Sequence, residues 1–271
     1  MNVMITGAAG GLGRALACEC ASRGYNLFLT DVNIDGLLCI QQGLERQFGI
    51  TIAAKFCDLT DAQSVDEMLS IIDKHNIRFD MLLNIAGLDY EGGFLERERE
   101  KIIKIVMLNN AATLRITHAI LERRRHERRC TIVFVSSLAS LFPMPLKATY
   151  AASKRFLLDI ATSLRQELRG QDTNVLALCP GGLATTPQAL QGIEAQGIWG
   201  EMTTNGLEKV ARRTLDRALA GKGIYIPGGV NRALSLLGKC IPRSWVAAII
   251  YRRWSGAQRK WLAADPPHSN A

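Results

Sequence analysis

Between residues 3 and 180 the chain alternates short runs that are apolar at almost every position with longer stretches in which apolar residues return every three or four positions. Continuous apolar runs of this length mark strands buried on both faces, and the longer period marks helices with one buried side. The runs fall at Val3–Thr6, Asn26–Asp31, Thr51–Cys57, Met81–Asn84, Thr131–Ser136, Asn174–Cys179 and near Gly223–Ile226. The intervals between them are long enough for crossover helices. The pattern therefore predicts an α/β fold of seven parallel strands, covered by helices on both faces in a doubly wound arrangement.

Two segments break this rhythm. Gln188 to Asn205 carries three glycines and Trp199 in mixed polarity, and it predicts a mobile lid over about 183–205. Residues 230–271 interleave Leu236, Leu237, Trp245, Ile249 and Trp254 with basic residues, which predicts an amphipathic helical extension to a core of residues 1–229. Packing on protein, either a neighbouring subunit or the lid, is favoured for it over lying on an anionic membrane surface. No repeat or linker marks a second domain, so residues 1–271 are expected to form one. The end of the chain from Asp265, with two prolines, is expected to fray.

Composition adds bounds. A chain of 271 residues, 48% hydrophobic, can bury a core large enough for one α/β domain and is not of a disordered type. The net charge of +8 is concentrated in the tail, where seven Lys or Arg follow Asn231 against Asp265 alone. A second cluster, Arg123, Arg124, Arg125, Arg128 and Arg129, lacks interleaved aromatics. Solvated charge accounts for both, and no nucleic-acid partner is expected. The first strand runs directly into glycines without a charged and apolar leader, and no apolar stretch approaches the roughly 20 residues needed to cross a bilayer. The expected location is cytoplasmic, with a peripheral membrane contact left open. Seven scattered cysteines predict buried thiols rather than disulfides or zinc, and four histidines without ligand spacing predict no metal.

The segment Thr6–Gly13 reads TGAAGGLG between the first strand and a helix beginning near Leu12. Gly7, Gly11 and Gly13 suit a tight turn that lets backbone approach a pyrophosphate at a helix N-terminus, where unpaired N–H groups favour negative charge. Asp31 ends the second strand twenty-four residues after Gly7. A carboxylate there accepts both ribose hydroxyls of an adenosine and repels a 2′-phosphate, which favours NAD over NADP, although Arg14 lies close in sequence.

Tyr150 and Lys154, four residues apart, project from one face of a helix. A tyrosine is a poor base near neutrality, and an adjacent ammonium is expected to lower its pKa toward usefulness. Ser137 ends the fifth strand at the carboxyl edge of the sheet, where ligands bind in open α/β folds. Further on the ordered set come Asn84-Ile85-Ala86-Gly87 after the fourth strand and Pro180-Gly181 after the sixth.

Taken together, TGxxxGxG, NxAG, Ser137 thirteen residues before Tyr150, YxxxK and Pro-Gly resemble the short-chain dehydrogenase/reductase family over residues 3 to about 228. One departure is Ile85 where the family usually has a second Asn. The resemblance implies a Rossmann-type fold and a hydride exchange between nicotinamide and a secondary alcohol or ketone. It implies Tyr150 as acid/base, Lys154 on the nicotinamide ribose, Ser137 orienting the carbonyl, and Asn109 holding a water in a proton relay, with Asn110 the competing choice. It further implies cofactor contacts from Gly7, Gly11, Leu12, Gly13, Asp31, Asp58, Leu59, Asn84, Ala86, Gly87, Tyr150, Lys154, Pro180, Gly181 and Thr185. Pairing into a homodimer or homotetramer through the helices carrying Asn109 and Tyr150 is implied in the same way.

Substrate contacts are expected from Leu88, Tyr90, Leu138, Phe142, Met144 and Leu183, with Trp199 or Met202 from the lid. Most are apolar, which suits a steroid, a bile-acid-like ring system or an acyl chain better than a sugar. The alternative is a nucleotide-sensing or scaffold protein that keeps the fold without catalysis; the intact Ser, Tyr and Lys argue against it.

Overall fold

Strands form where the apolar runs place them. A computed structural model describes residues 1–89, 91–185, 202–238 and 241–264, with side chains described as far as residue 256. The strands are β1 Asn2–Thr6, β2 Asn26–Asp31, β3 Ile52–Phe56, β4 Met81–Asn84, β5 Cys130–Val135, β6 Thr173–Leu178 and β7 Ile224–Tyr225. The helices are α1 Gly11–Ser22, α2 Ile34–Phe48, α3 Ala62–Lys74, α4 Arg99–Val106, α5 Thr113–Glu122, α6 Ala148–Glu167, α7 Leu207–Leu219, α8 Gly229–Leu237 and α9 Arg243–Ala264. Local chemistry sets several of their ends. The Asn33 side chain accepts from the Gly36 N–H to open α2, Asp61 accepts from Gln63 and Ser64 to open α3, and Gly49 closes α2 at φ 63°.

All seven strands pair in parallel in the order β3-β2-β1-β4-β5-β6-β7. Strand order therefore reverses between β1 and β4, and ligands of doubly wound sheets bind at such a reversal, beyond the carboxyl ends of the strands. The register pairs Thr6 with Asn84, so the turns that leave β1 and β4 emerge side by side.

Alternation along each strand divides the core between the two faces. Val3 and Ile5 of β1 and Val133 and Val135 of β5 pack with Leu16, Leu37 and Leu215 on one face. Met4, Ile132 and Phe134 pack with Met68, Phe79, Ile116 and Leu157 on the other. The helices needed on both sides of a parallel sheet are thus each anchored by alternate residues of the same strands.

Three local findings depart from the sequence pattern. The helix after β4 is not continuous: Met107–Ala112 between α4 and α5 is π-helical, a widening that accommodates an extra residue and often falls at functional sites. Not all thiols are buried, since Cys18 and Cys39 are exposed while Cys20, Cys57, Cys130 and Cys179 are buried; all six are free. The arginine run is engaged rather than simply solvated: Arg123 pairs with Asp73 at 2.6 Å, Arg129 with Asp172 at 2.8 Å and Arg125 with Asp80 at 3.4 Å. The extension is helical as expected, and α9 packs inward through Val246. Among the described residues no helix is long and apolar enough to cross a membrane. Most of the predicted lid, residues 186–201, and Tyr90 lie outside the described residues.

Candidate active site

The glycine turn is built around close backbone approaches. Gly7 has φ 66°, and a Cβ on it would lie 2.7 Å from the backbone of Ala86. Thr6 secures the same junction, its Oγ1 accepting from the N–H groups of Ile85 (3.1 Å) and Ala86 (3.3 Å). A Cβ on Gly11 would meet Thr185 at 2.8 Å, so the turns after β1, β4 and β6 converge. Gly10 opens α1 with no side-chain cap, which leaves the first N–H groups of that helix for an anion. These features fit a dinucleotide pyrophosphate.

Asp31 lies at the edge of this turn. Its Oδ2 accepts from the Ala9 N–H at 2.9 Å and its Oδ1 from Asn33 at 3.0 Å, which fixes the carboxylate while leaving lone pairs for further donors. Arg14 turns back to the turn, its Nε donating to the Ala9 carbonyl at 2.7 Å. Asp58 follows β3 and accepts from Thr60 N–H (2.9 Å) and hydroxyl (2.6 Å); these bonds hold its pKa below the usual carboxylate value. Leu59 beside it is buried. Asn84 points elsewhere: its Nδ2 donates to Thr117 Oγ1 on α5 at 3.0 Å, so its side chain braces the helix layer beneath the turn.

Across the sheet edge, β5 delivers Ser137 and α6 delivers Tyr150 and Lys154. Ser137 caps a short 3-10 turn, Leu138–Leu141, and hydrogen-bonds with Tyr150, which lowers the tyrosine pKa. Lys154 is buried, its Nζ donating to the Val135 carbonyl at 2.9 Å and standing 5.7 Å from the centre of the Tyr150 ring. A Cβ on Gly87 would lie 3.1 Å from that Nζ and 3.1 Å from Asn109 Oδ1, so only glycine leaves both groups their places. Asn109, fully buried in the π segment, accepts from the Leu88 N–H at 2.8 Å and donates to the Leu88 carbonyl and to Ser153 Oγ, both at 3.0 Å. Both amide protons are thereby used on protein, and the side chain fastens the loop after β4 to α6. Asn110 instead donates to the Ser153 carbonyl at 3.0 Å.

The electrostatics correct one expectation. Burial pushes the Tyr150 phenol up to about 12, aided by Asp89 and opposed by the Ser137 hydrogen bond and by Lys147. Burial also pushes Lys154 down to about 8. Enclosure penalises both charged forms, so it outweighs the mutual help expected of a YxxxK pair. The cation that lowers the tyrosine is Lys147, which sequence reasoning missed. Its Nζ pairs with Asp89 at 2.7 Å and Glu91 at 2.5 Å and stands 5.6 Å from the ring centres of both Tyr150 and Trp254 of α9. Its place, three residues before Tyr150 at the start of α6, was visible; its acidic partners in the loop after β4 were not.

The predicted substrate residues separate. Leu88 and Leu138 adjoin Asn109 and Ser137, whereas Leu183 packs against the core. Phe142 and Met144 line a groove of about 460 Å³ with Pro143, Pro145, Ala148 and Arg243, and the groove lining does not include Tyr150. Met202 is exposed. The loop after β6 is held by Pro180, whose carbonyl accepts from Leu138 N–H at 2.7 Å, and by Gly181, where a side chain would collide with Thr203 and Asn231.

A turn that admits a pyrophosphate beside a Ser, Tyr and Lys at the carboxyl edge of a parallel sheet defines a nucleotide-linked α/β enzyme class. The sequence profile described as short chain dehydrogenase matches residues 1–194, and the chain belongs to that family. It is 30% identical over 176 residues to a very-long-chain 3-oxoacyl-CoA reductase of Phaeosphaeria nodorum, covering 64% of this chain and 52% of that protein. The chain thus spans about half the length of such relatives. The fold superposes on a 7beta-hydroxysteroid dehydrogenase with TM-score 0.82 and 18% identity, covering 92% and 96% of the two chains. It also superposes on a Sphingobium yanoikuyae short-chain dehydrogenase in complex with NADPH (TM-score 0.71, 23% identity, 100% and 98% covered). A third similar fold is a Brucella melitensis 3-oxoacyl-[acyl-carrier protein] reductase with bound NAD (0.72, 24%, 84% and 89%).

Proposed function

We propose that this protein is an NAD-dependent oxidoreductase that interconverts a ketone and a secondary alcohol on a hydrophobic substrate such as an acyl chain or a steroid-like ring system. The observation that carries this reading is the grouping of Tyr150 with Ser137, its hydrogen-bond partner, and with Lys154, whose Nζ lies against Gly87 next to the junction of the glycine turn with Ala86. The nicotinamide supplies or accepts the hydride when bound. Gly7, Gly11, Leu12 and Gly13 hold its pyrophosphate, Asp31 its adenosine ribose, Asp58 and Leu59 its adenine side, and Ala86, Gly87, Lys154, Pro180, Gly181 and Thr185 its nicotinamide half.

Ser137 orients the carbonyl oxygen through its hydroxyl, and Tyr150 gives that oxygen its phenolic proton. A phenol held neutral up to about pH 12 is ready to donate, so its resting state serves reduction. Oxidation needs the phenolate, whose fraction rises with pH. The rate of alcohol oxidation is therefore expected to climb throughout the range from neutrality upward, while ketone reduction stays level near neutrality; an oxidation rate that peaks at neutral pH contradicts the assigned proton carrier.

Lys147 and Asp89 bias that proton in opposite senses. Lys147→Met is expected to move the rising limb of the oxidation profile to higher pH and Asp89→Asn to lower pH. Identical displacement by both changes rules out a charge effect on Tyr150.

Cofactor choice rests on Asp31. Asp31→Ala is expected to reduce the NAD:NADP preference by roughly tenfold, the equivalent of about 1.4 kcal/mol. Unchanged ratios of kcat/KM for the two cofactors would show that the carboxylate only ties the turn to Asn33. The exposed Ile103, Val106, Met107 and Leu114 around the π segment and Phe156 on α6 support self-association through these helices, as a homodimer or homotetramer.

A further inference from the structure

We propose that the outer face of α9, together with the end of α8, docks on an anionic membrane surface. The helix has two apolar sides. Val246 is buried and Ile250 and Trp254 are partly buried, following each other at four-residue spacing, and Trp254 rests over Lys147 beside the tyrosine. Trp245 (67% exposed) and Ile249 (60% exposed), four residues apart, occupy a different face, shared with Arg252 three residues further on. Leu236, Leu237 and Ile241, which precede them, are also exposed. Large apolar side chains concentrated in this way mark a surface meant to be covered.

Charge selects the occupant. Residues 230–264 contain Arg232, Lys239, Arg243, Arg252, Arg253, Arg259 and Lys260 and no Asp or Glu. A second copy meeting this face through a two-fold axis would set one cationic segment against another. Anionic headgroups neutralise the same residues, and an apolar stripe edged by Lys and Arg is the form of a helix that lies in the lipid interface. No described helix is long and apolar enough to cross a bilayer, so the contact is with the surface. The inner face holds the docked helix against Lys147, whose ammonium also stands over the Tyr150 ring. That arrangement keeps the site at the lipid boundary, and this consequence alone rests on the function proposed above.

The test is co-sedimentation of the full chain with phosphatidylcholine vesicles, with and without phosphatidylglycerol. Binding is expected to be at least about tenfold stronger with the anionic lipid and to weaken as salt is raised. The double variant Trp245→Glu, Ile249→Glu is expected to lose at least about tenfold of it, with an unchanged melting temperature. Arg252→Glu, a single exposed change, is expected to weaken binding only to the anionic vesicles, and it carries the test if the double variant unfolds. No binding, equal binding to both vesicles, or binding indifferent to these variants overturns the proposal. So does light scattering that shows a native dimer converted to monomer by the double variant, which would assign the face to a second copy. None of these readouts depends on catalytic turnover.

Discussion

Tyr150→Phe is expected to lower turnover of a ketone by about 10²- to 10⁴-fold, the usual worth of one positioned proton donor. The ring remains to fill its place beside Lys147 and Lys154, and Ser137 Oγ keeps the Ala139 N–H as a partner at 3.1 Å, so no buried hydroxyl is abandoned. Affinity for NADH, read by fluorescence titration, is expected to stay within roughly fivefold, since at most one hydrogen bond of about 1 kcal/mol is lost. Normal kcat in the variant removes Tyr150 from the chemistry. Loss of NADH binding along with turnover would instead show a structural role.

Lys154→Met is expected to separate activity from stability. The ammonium is depressed from 10.5 to about 8, so near neutrality the folded protein carries a charge that burial opposes. At about 1.36 kcal/mol per unit, relief of that penalty is worth roughly 3 kcal/mol, less about 1 kcal/mol for the lost hydrogen bond to the Val135 carbonyl. A net gain of roughly 2 kcal/mol raises the melting temperature by about 4–8 °C in a chain of this size. The sign follows from linkage. Below pH 8 both folded and unfolded lysine are protonated and the penalty is full; between 8 and 10.5 the folded group sheds its proton first, and wild-type stability recovers. The advantage of the variant is therefore present at pH 7 and fades by about pH 10.5. Turnover is expected to fall by about 10²-fold or more. Melting curves at the two pH values, set beside rates, decide the matter; a variant less stable than wild type at pH 7 shows that the buried ammonium is better solvated than its surroundings indicate.

Both predictions attach to residues that could be named before any coordinates, but their energetics could not. YxxxK was visible as a shared helix face, and the expectation drawn from it was a tyrosine helped by Lys154. In the folded chain enclosure dominates both groups, and the cation that does lower the phenol is Lys147, held by Asp89 and Glu91 from a loop nearly sixty residues earlier in the chain. Asn109 shows a related gap. The family resemblance pointed to it, with Asn110 competing, yet its amide reaches Leu88 and Ser153 from a π-helical turn, and no residue pattern announces that turn. Phe142 and Met144 were apolar in suitable loops, but the path after Ser137 takes them to a groove beside α6 that Tyr150 does not line.

The sequence alone determined the seven strands, their parallel sense, the glycine turn and the Ser-Tyr-Lys series, because each depends on local periodicity, on backbone freedom at glycine or on spacing along one element. It also marked residues 230–271 as an amphipathic, basic helical extension, since face and charge follow from helical period. Tertiary structure decided which charges those groups hold and which side chains meet. Burial and the partners brought by distant loops set both, and neither is a property of any short stretch of chain.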